Sequence, residues 1–452
     1  IIHTVNPRLF PEQIEYILNH AEDKILCVDL SFLPLVQQLA PRLPHLEHVI
    51  VLTDERHMPT SGLHKALCYE IELARYNDDF TWPRFDDQTA AALCYTSGTT
   101  GNPKGVLYSH RSQILHAYAT VQPDAMNLSS GSCVLPVVPM FHVSAWGTPY
   151  SGTLVGAKLV FPGARLDGAS LAELIEQEKP DFLLGVPTVW LGLLDYLRQN
   201  DKILHSVRTV VVGGSAAPLA MIKEFQERHD VFLMHAWGMT ELSPLGTLAN
   251  PSARLMAMPL EQRYQYQRKQ GRPVFGIQLK IVDATGNTLP HDGKAFGRLM
   301  VKGPWVIERY YLADKSALEH GWFDTGDVAT IDEEGFMQIV DRTKDVIKSG
   351  GEWISSIELE NIAVGHPDVQ EACVVGIPHP KWDERPLLLV IAKPGRQPAR
   401  DDLLAFFEGK VAKWWIPDDA LVVKELPHTA TGKLLKVNVR ESHQQHYLQQ
   451  GG

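Results

Sequence analysis

The chain reads as an α/β protein with a large N-terminal body of parallel sheets, helices and a small β-barrel-like subdomain. A hinge and a small, mobile α+β C-terminal domain are expected to follow. Three features carry that expectation. Strand and helix patterns alternate at βαβ spacing from 170 to 235, short strands with hairpin turns take over from 276 to 340, and a charged, glycine-containing stretch at 341–351 precedes a last αβ segment.

In chain order, residues 11–21 open on Pro11 and place Ile14, Ile17 and Leu18 on one face, the pattern of an amphipathic helix. Residues 24–29 and 48–52 are apolar runs of strand length. A helix at 171–178, strand at 181–185, helix from Pro187, strand at 208–212, helix at 218–228 and strand at 231–235 then follow at crossover spacing, which makes the strands parallel. Turns at 283–286 and 332–335 join short antiparallel strands. Beyond the hinge come a helix at 357–364, strands at 372–375 and 387–392, a helix at 401–410 and a strand at 421–424. The expected division is a body over 1–340, a hinge over 341–351 and a cap domain over 352–452.

Composition narrows the classes of function. A net charge of −11 opposes nucleic-acid binding, which needs a basic footprint. Cys27, Cys68, Cys94, Cys133 and Cys373 are odd in number, scattered and without a CxxC pair, so neither a disulfide framework nor a zinc site is expected. No apolar stretch is long enough to span a bilayer, and a cytoplasmic location is expected. The chain opens on Ile1 and Ile2 in sequence that already reads as folded, so an N-terminal truncation is expected too.

The densest chemistry lies between Tyr95 and Gly105, where three glycines, four hydroxyl residues and Lys104 offer backbone N–H donors and one point charge to an anion. It is no Walker A loop: the spacing to GK[ST] is wrong, and Gly105 leads into a strand rather than a helix. Asp327, beside Gly326, can accept two hydrogen bonds from a diol. Glu241 follows a parallel strand and so stands at a carboxyl edge, where open αβ sheets bind ligands. Gly213, Gly214, Ser215, Ala216 and Ala217 follow another such strand, with side chains small enough for a flat base to approach.

Five segments in order resemble motifs of the adenylate-forming superfamily, which includes acyl-CoA synthetases, luciferases and adenylation domains. They are Tyr95–Gly105 (phosphate loop), Ala236–Glu241 (adenine), Phe323–Asp327 (ribose), Asp341–Glu352 (hinge) and Pro427–Lys433 (catalytic lysine). The resemblance implies that Thr96, Ser97, Gly98, Thr99, Thr100, Gly101 and Lys104 hold ATP phosphates, and that Gly214, Ser215, Ala216, Trp237, Gly238, Met239, Thr240, Asp327 and Arg342 hold the nucleoside. It makes Thr96 and Glu241 ligands of Mg2+, and Lys433, Glu241, His142 and Lys348 catalytic. Lys344 becomes the hinge pivot, with Gly350, Gly351, Glu352 and Trp353 on a face for CoA. Trp237 stands where many relatives carry tyrosine, and His428 where arginine is commoner. A homodimer is compatible with the family.

The segment Val138–Trp146 selects the acid. Amino-acid-activating relatives place an aspartate after the aromatic residue; here His142 takes that place, and 133–158 contains no acidic residue to pair a buried ammonium. Met140, Phe141, Val143, Trp146 and Val186 form the expected acyl pocket, similar to that of bacterial medium- and long-chain fatty acyl-CoA synthetases. The implied reaction turns a fatty acid, ATP and CoA into acyl-CoA, AMP and pyrophosphate through acyl-AMP. Related ligases for thioether acids such as methylmercaptopropionate share the segment after Lys348. A catalytically silent nucleotide-binding relative would have lost Lys433, Glu241 or Asp327, and all three are present.

Overall fold

A computed structural model describes the chain except residues 60–61, 64–65, 97–101, 284, 351, 429–433 and 449–452. The first helix is Pro11–Ala21, with Pro11 at its start, where a missing N–H costs no hydrogen bond. Strands Ile25–Val28, His48–Val51 and Ala66–Cys68 form a small parallel sheet. Beside it, Ile2–His3 pairs parallel with Ala90–Tyr95, which pairs antiparallel with Gly105–Ser109.

The central sheet has seven strands. Phe232–Gly238, Thr209–Val212, Phe182–Gly185, Cys133–Pro136 and Lys158–Leu159 run parallel, and Leu245–Leu248 and Arg272–Pro273 extend the first edge antiparallel. Because side chains alternate across a strand, Leu183, Val210 and Leu233 face a core shared with Trp190 and Phe225 of the covering helices. Leu184, Val211 and Met234 face the opposite core with Tyr108 and Trp146. The βαβ rhythm in the sequence is this sheet.

The antiparallel subdomain comprises Gln278–Val282, Phe296–Lys302, Leu318–Glu319, Trp322–Ile331 and Met337–Arg342. The C-terminal domain is built on the hairpin Val369–His379 and Asp383–Ala392, joined by Ile347–Ser349, Glu352–Ile354 and Asp419–Val422.

In the expected hinge, Met337–Arg342 carries the body sheet into the stretch, and Ile347–Ser349 belongs to the C-terminal sheet. One expectation changes. The helix read at 401–410 ends at Ala405, because the N–H groups of Phe407 and Glu408 bond three residues back and Gly409 takes a left-handed φ of 72°.

Candidate active site

A cavity of about 550 Å³ opens at the carboxyl ends of Thr209–Val212 and Phe232–Gly238, between the body and the C-terminal domain. The position follows from the topology, since loops leaving parallel strands converge there. Gly213, Gly214, Ser215 and Ala216 line one wall. A Cβ on Gly213 would stand 3.0 Å from the Trp146 ring, a tight contact, so the glycine leaves room for the indole to lie against this strand end.

Thr96, the residue after the strand Ala90–Tyr95, is tied twice to Lys104. Its N–H donates to the Lys104 carbonyl at 2.9 Å, and its hydroxyl accepts from the Lys104 N–H at 3.2 Å. The tie closes the base of the expected phosphate loop, whose Ser97, Gly98, Thr99, Thr100 and Gly101 lie outside the described residues. The Lys104 ammonium stands 4.8 Å over the Tyr310 ring, and the Tyr310 hydroxyl donates to Glu241 Oε1 at 2.7 Å. Burial, then the Glu241 charge, push the Tyr310 phenol well above its ordinary pKa and keep it a donor. Glu241 itself, on the turn Thr240–Leu242, is buried yet lines the cavity. Nothing in the sequence pattern points to Tyr310, which lies in no motif and reaches Glu241 across 69 positions.

Asp327 is 2% exposed, with Oδ2 accepting from the Trp237 indole N–H at 3.0 Å and Oδ1 paired with Arg342 Nε at 2.9 Å. The pairing of Trp322–Ile331 with Met337–Arg342 sets Asp327 directly opposite Arg342. The expected adenine and ribose motifs thus meet in one hydrogen bond. A Cβ on Gly246 would come within 2.4 Å of the Trp237 ring, so the indole is also wedged from behind. Gly238, Met239 and Thr240 line the same wall.

The acyl segment has an unusual backbone. Val143, Ser144, Ala145, Trp146 and Gly147 have φ of 49°, 46°, 51°, 56° and 73°, a left-handed turn that L-residues adopt only under tertiary constraint. His142, Val143 and Trp146 line the large cavity. Phe141 lines a smaller one, Val186 packs against Gly214, and Met140 is 40% exposed and on neither lining. Among the described residues the expected pocket is therefore gathered only in part.

Residues 1–311 match the AMP-binding enzyme family, and residues 358–433 match the AMP-binding enzyme C-terminal domain. The chain belongs to the AMP-binding enzyme family. It is 51% identical over 442 residues to a 3-methylmercaptopropionyl-CoA ligase of Ruegeria pomeroyi, covering 98% of this chain and 82% of that one. It is 50% identical over 444 residues to a medium-chain-fatty-acid–CoA ligase of Ectopseudomonas oleovorans, covering 98% and 81%. Among solved structures, the anthranilate CoA ligase AuaEII in complex with anthranoyl-AMP superposes with a TM-score of 0.86 at 27% identity, covering 99% of this chain and 83% of that one.

In this AMP-binding enzyme the C-terminal domain closes the cavity with Leu434, Leu435, Lys436 and Val437. Lys433 lies outside the described residues, one position before them. Lys344 and Asp345 line the cavity at its hinge side, and Asp345 pairs with Arg440 at 2.9 Å. Lys436 reaches Glu360 at 2.8 Å and the Ser356 hydroxyl at 2.5 Å, while the Ser356 N–H donates to Asp341 Oδ2 at 2.6 Å. Lys348 and Gly350 are not on the cavity lining. The Lys348 side chain is exposed, its N–H donates to Glu384 at 3.0 Å, and the Gly350 N–H donates to the Trp382 carbonyl at 2.8 Å. Gly351 and the side chains of Glu352 and Trp353 are outside the described residues.

Proposed function

We propose that this AMP-forming acid–thiol ligase, which uses ATP and CoA, activates an apolar carboxylic acid of the fatty-acid type. The carrying observation is the uncharged wall of Val143 and Trp146, lodged against Gly213 in the same cavity that Asp327, Trp237 and Glu241 line. Burying an alkyl chain there gains about 0.8 kcal/mol per methylene.

In the first half-reaction a carboxylate oxygen attacks the α-phosphorus and pyrophosphate leaves. Lys104 and the loop around it take the phosphates, Trp237 and residues 214–216 the adenine, and Asp327 with Arg342 the ribose. The oxygens of Thr96 and Glu241 suit Mg2+, which prefers one or two protein oxygens plus substrate phosphates and supplies charge neutralisation there. Lys433 supplies charge to the transition state from the cap, and His142 orients the carboxylate. In the second half-reaction CoA sulfur displaces AMP. For that step the cap, residues 352–452, turns about Lys344 and brings in the face with Lys348, Gly350, Gly351, Glu352 and Trp353. The five free thiols fit a reducing compartment, so we place the enzyme in the cytoplasm.

A second reading is a short thioether acid, favoured by the relative at 51% identity whose name carries that substrate. Pyrophosphate release against straight-chain acids of graded length and methylmercaptopropionate, with and without CoA, decides between them. A maximum at medium or long chains supports the fatty-acid reading, and a maximum at the thioether acid replaces it. Trp146→Ala is expected to move the preferred length while leaving the KM for ATP unchanged. A mutant with unaltered length preference and weakened ATP binding would show the pocket to be misplaced.

A further inference from the structure

Behind the active-site wall lies a second cavity of about 30 Å³, whose lining includes His3, Thr4, Tyr95, Thr96 and His142. Thr96 and His142 line the large cavity as well, so the two spaces share a wall. The volume suits a single water.

The His3 side chain is 5% exposed, and its Nδ1 lies 2.7 Å from Asp23 Oδ2. A carboxylate only accepts, so Nδ1 carries the proton and Nε2 keeps a lone pair. Among the described residues neither His3 Nε2 nor the Thr4 hydroxyl has a hydrogen-bond partner, although both are buried. Interiors rarely leave such atoms unmatched. A basic nitrogen backed by a carboxylate, in the wall of a small hole of mixed polar and apolar lining beside a reaction site, has the arrangement of an acid–base dyad.

The chemistry of the two half-reactions says which of them needs it. The attacking carboxylate of the first is already ionised at neutral pH, whereas a thiol with a pKa of about 8.5 is mostly protonated. We propose that Asp23 and His3 form the proton acceptor for thioester formation, reached through His142 and one water in the small cavity. The inference rests on the reading of this protein as an acid–CoA ligase. As the S–C bond forms, the bond from the acyl carbon to the AMP phosphate oxygen breaks, and AMP leaves with that electron pair. The thiol proton ends on His3 Nε2, where the Asp23 carboxylate holds the imidazolium until the proton passes to solvent. His3 acts through its neighbours and is a positioning residue for the proton.

Other titratable groups face this site. The Tyr95 ring is 5.2 Å from that of His3, the Tyr95 hydroxyl is 2.7 Å from His20 Nδ1, and Tyr16 and Tyr311 pack against His20. The test therefore reads a pH profile of each half-reaction separately. Single-turnover pyrophosphate release and acyl-CoA formation from octanoate are measured for the full chain and for His3→Gln and Asp23→Asn.

In His3→Gln pyrophosphate release is expected to be unchanged, while thioester formation falls about 10²-fold at pH 7. That deficit is expected to shrink toward about pH 9, where the thiol ionises unaided. Asp23→Asn, with its milder change, is expected to show the same pH-dependent deficit at smaller size. Equal losses in both half-reactions, or a thioester deficit independent of pH, would mark a structural role and overturn the proposal. If His3→Gln does not fold, an unchanged thioester profile in Asp23→Asn overturns it as well. Absence of pyrophosphate release from the wild type with every acid would instead overturn the ligase reading and leave a different signature.

Discussion

The body and the C-terminal domain treat buried basic side chains in opposite ways. In the body the buried bases are neutral. His116 and His235 are buried imidazoles whose pKa values burial lowers to about 3 and about 4. In the C-terminal domain the buried bases are charged. Arg385 donates to Asp418, the Ser349 hydroxyl and the carbonyls of Trp414 and Ile416, and Lys436 stands between Glu360 and Asp341. Neutral groups hold a fixed shape and ask little of their surroundings. Ion pairs demand specific partners, so an orientation held by them is secure while the partners are aligned and expensive otherwise. Asp341 lies on the last body strand and Lys436 on the far domain, which puts this charge network on the seam that a turning cap would have to open.

The largest test of that contrast is to break the network on one side. Lys436→Met leaves Glu360 buried opposite Asp341 without its cation and should destabilise the C-terminal domain by about 3–5 kcal/mol. Hydrogen exchange should show the loss across 352–448 and spare the central sheet. Adding Glu360→Leu to Lys436→Met should recover part of it, since an apolar pair of similar volume costs little while the Val374 N–H that Glu360 accepts is left unpaired. Loss spread evenly over both regions would erase the distinction.

The next effect concerns catalysis. If the cap contributes charge and the body contributes shape, Lys433→Ala should lower acyl-AMP formation by about 10²–10³, or about 2.7–4 kcal/mol. Transfer from pre-made acyl-AMP to CoA should change far less, because pyrophosphate has already departed. Its chain neighbours Leu434, Leu435, Lys436 and Val437 line the cavity. Equal damage to both half-reactions, measured separately, would remove Lys433 from this role.

The contrast also explains what the sequence could and could not tell. Strands such as Thr209–Val212 and helices such as Leu219–His229 announced themselves because their buried faces are apolar and periodic. The helix His110–Val121 has no such signal, since Gln113, His116 and Thr120 are among its buried residues and blur the apolar stripe. Trp237, Glu241, Asp327 and Arg342, expected on the nucleotide side, are legible as motifs and gather around one cavity. Their mutual bonds, Trp237 to Asp327 and Tyr310 to Glu241, join segments 90 and 69 positions apart and leave no trace in spacing. The left-handed turn at 143–147 could not be foreseen, because nothing in Val-Ser-Ala-Trp favours positive φ and only the surrounding core imposes it.

The smallest expected effect probes the neutral side of the comparison. His116 Nε2 accepts the Leu245 N–H at 3.1 Å, so the ring proton resides on Nδ1 and protonation would have to displace that bond. Its folded-state pKa of about 3 lies below the unfolded value of about 6.5, so the unfolded chain binds the proton first as pH falls. The contribution is therefore intact above about pH 6.5 and declines from there down to the folded pKa near 3. At pH 5.5 one such group should cost about 1.4 kcal/mol, and His235, shifted in the same direction, should add a similar amount. Urea unfolding of the body followed from pH 7.5 to 5 should thus show a falling midpoint, at pH values where ordinary carboxylates stay ionised. His116→Leu should lower stability at neutral pH, through the orphaned Leu245 N–H, yet flatten the slope below pH 6.5. A slope unchanged by the substitution would mean that the imidazole is not held neutral, and the body would then resemble the cap in holding a charged base inside.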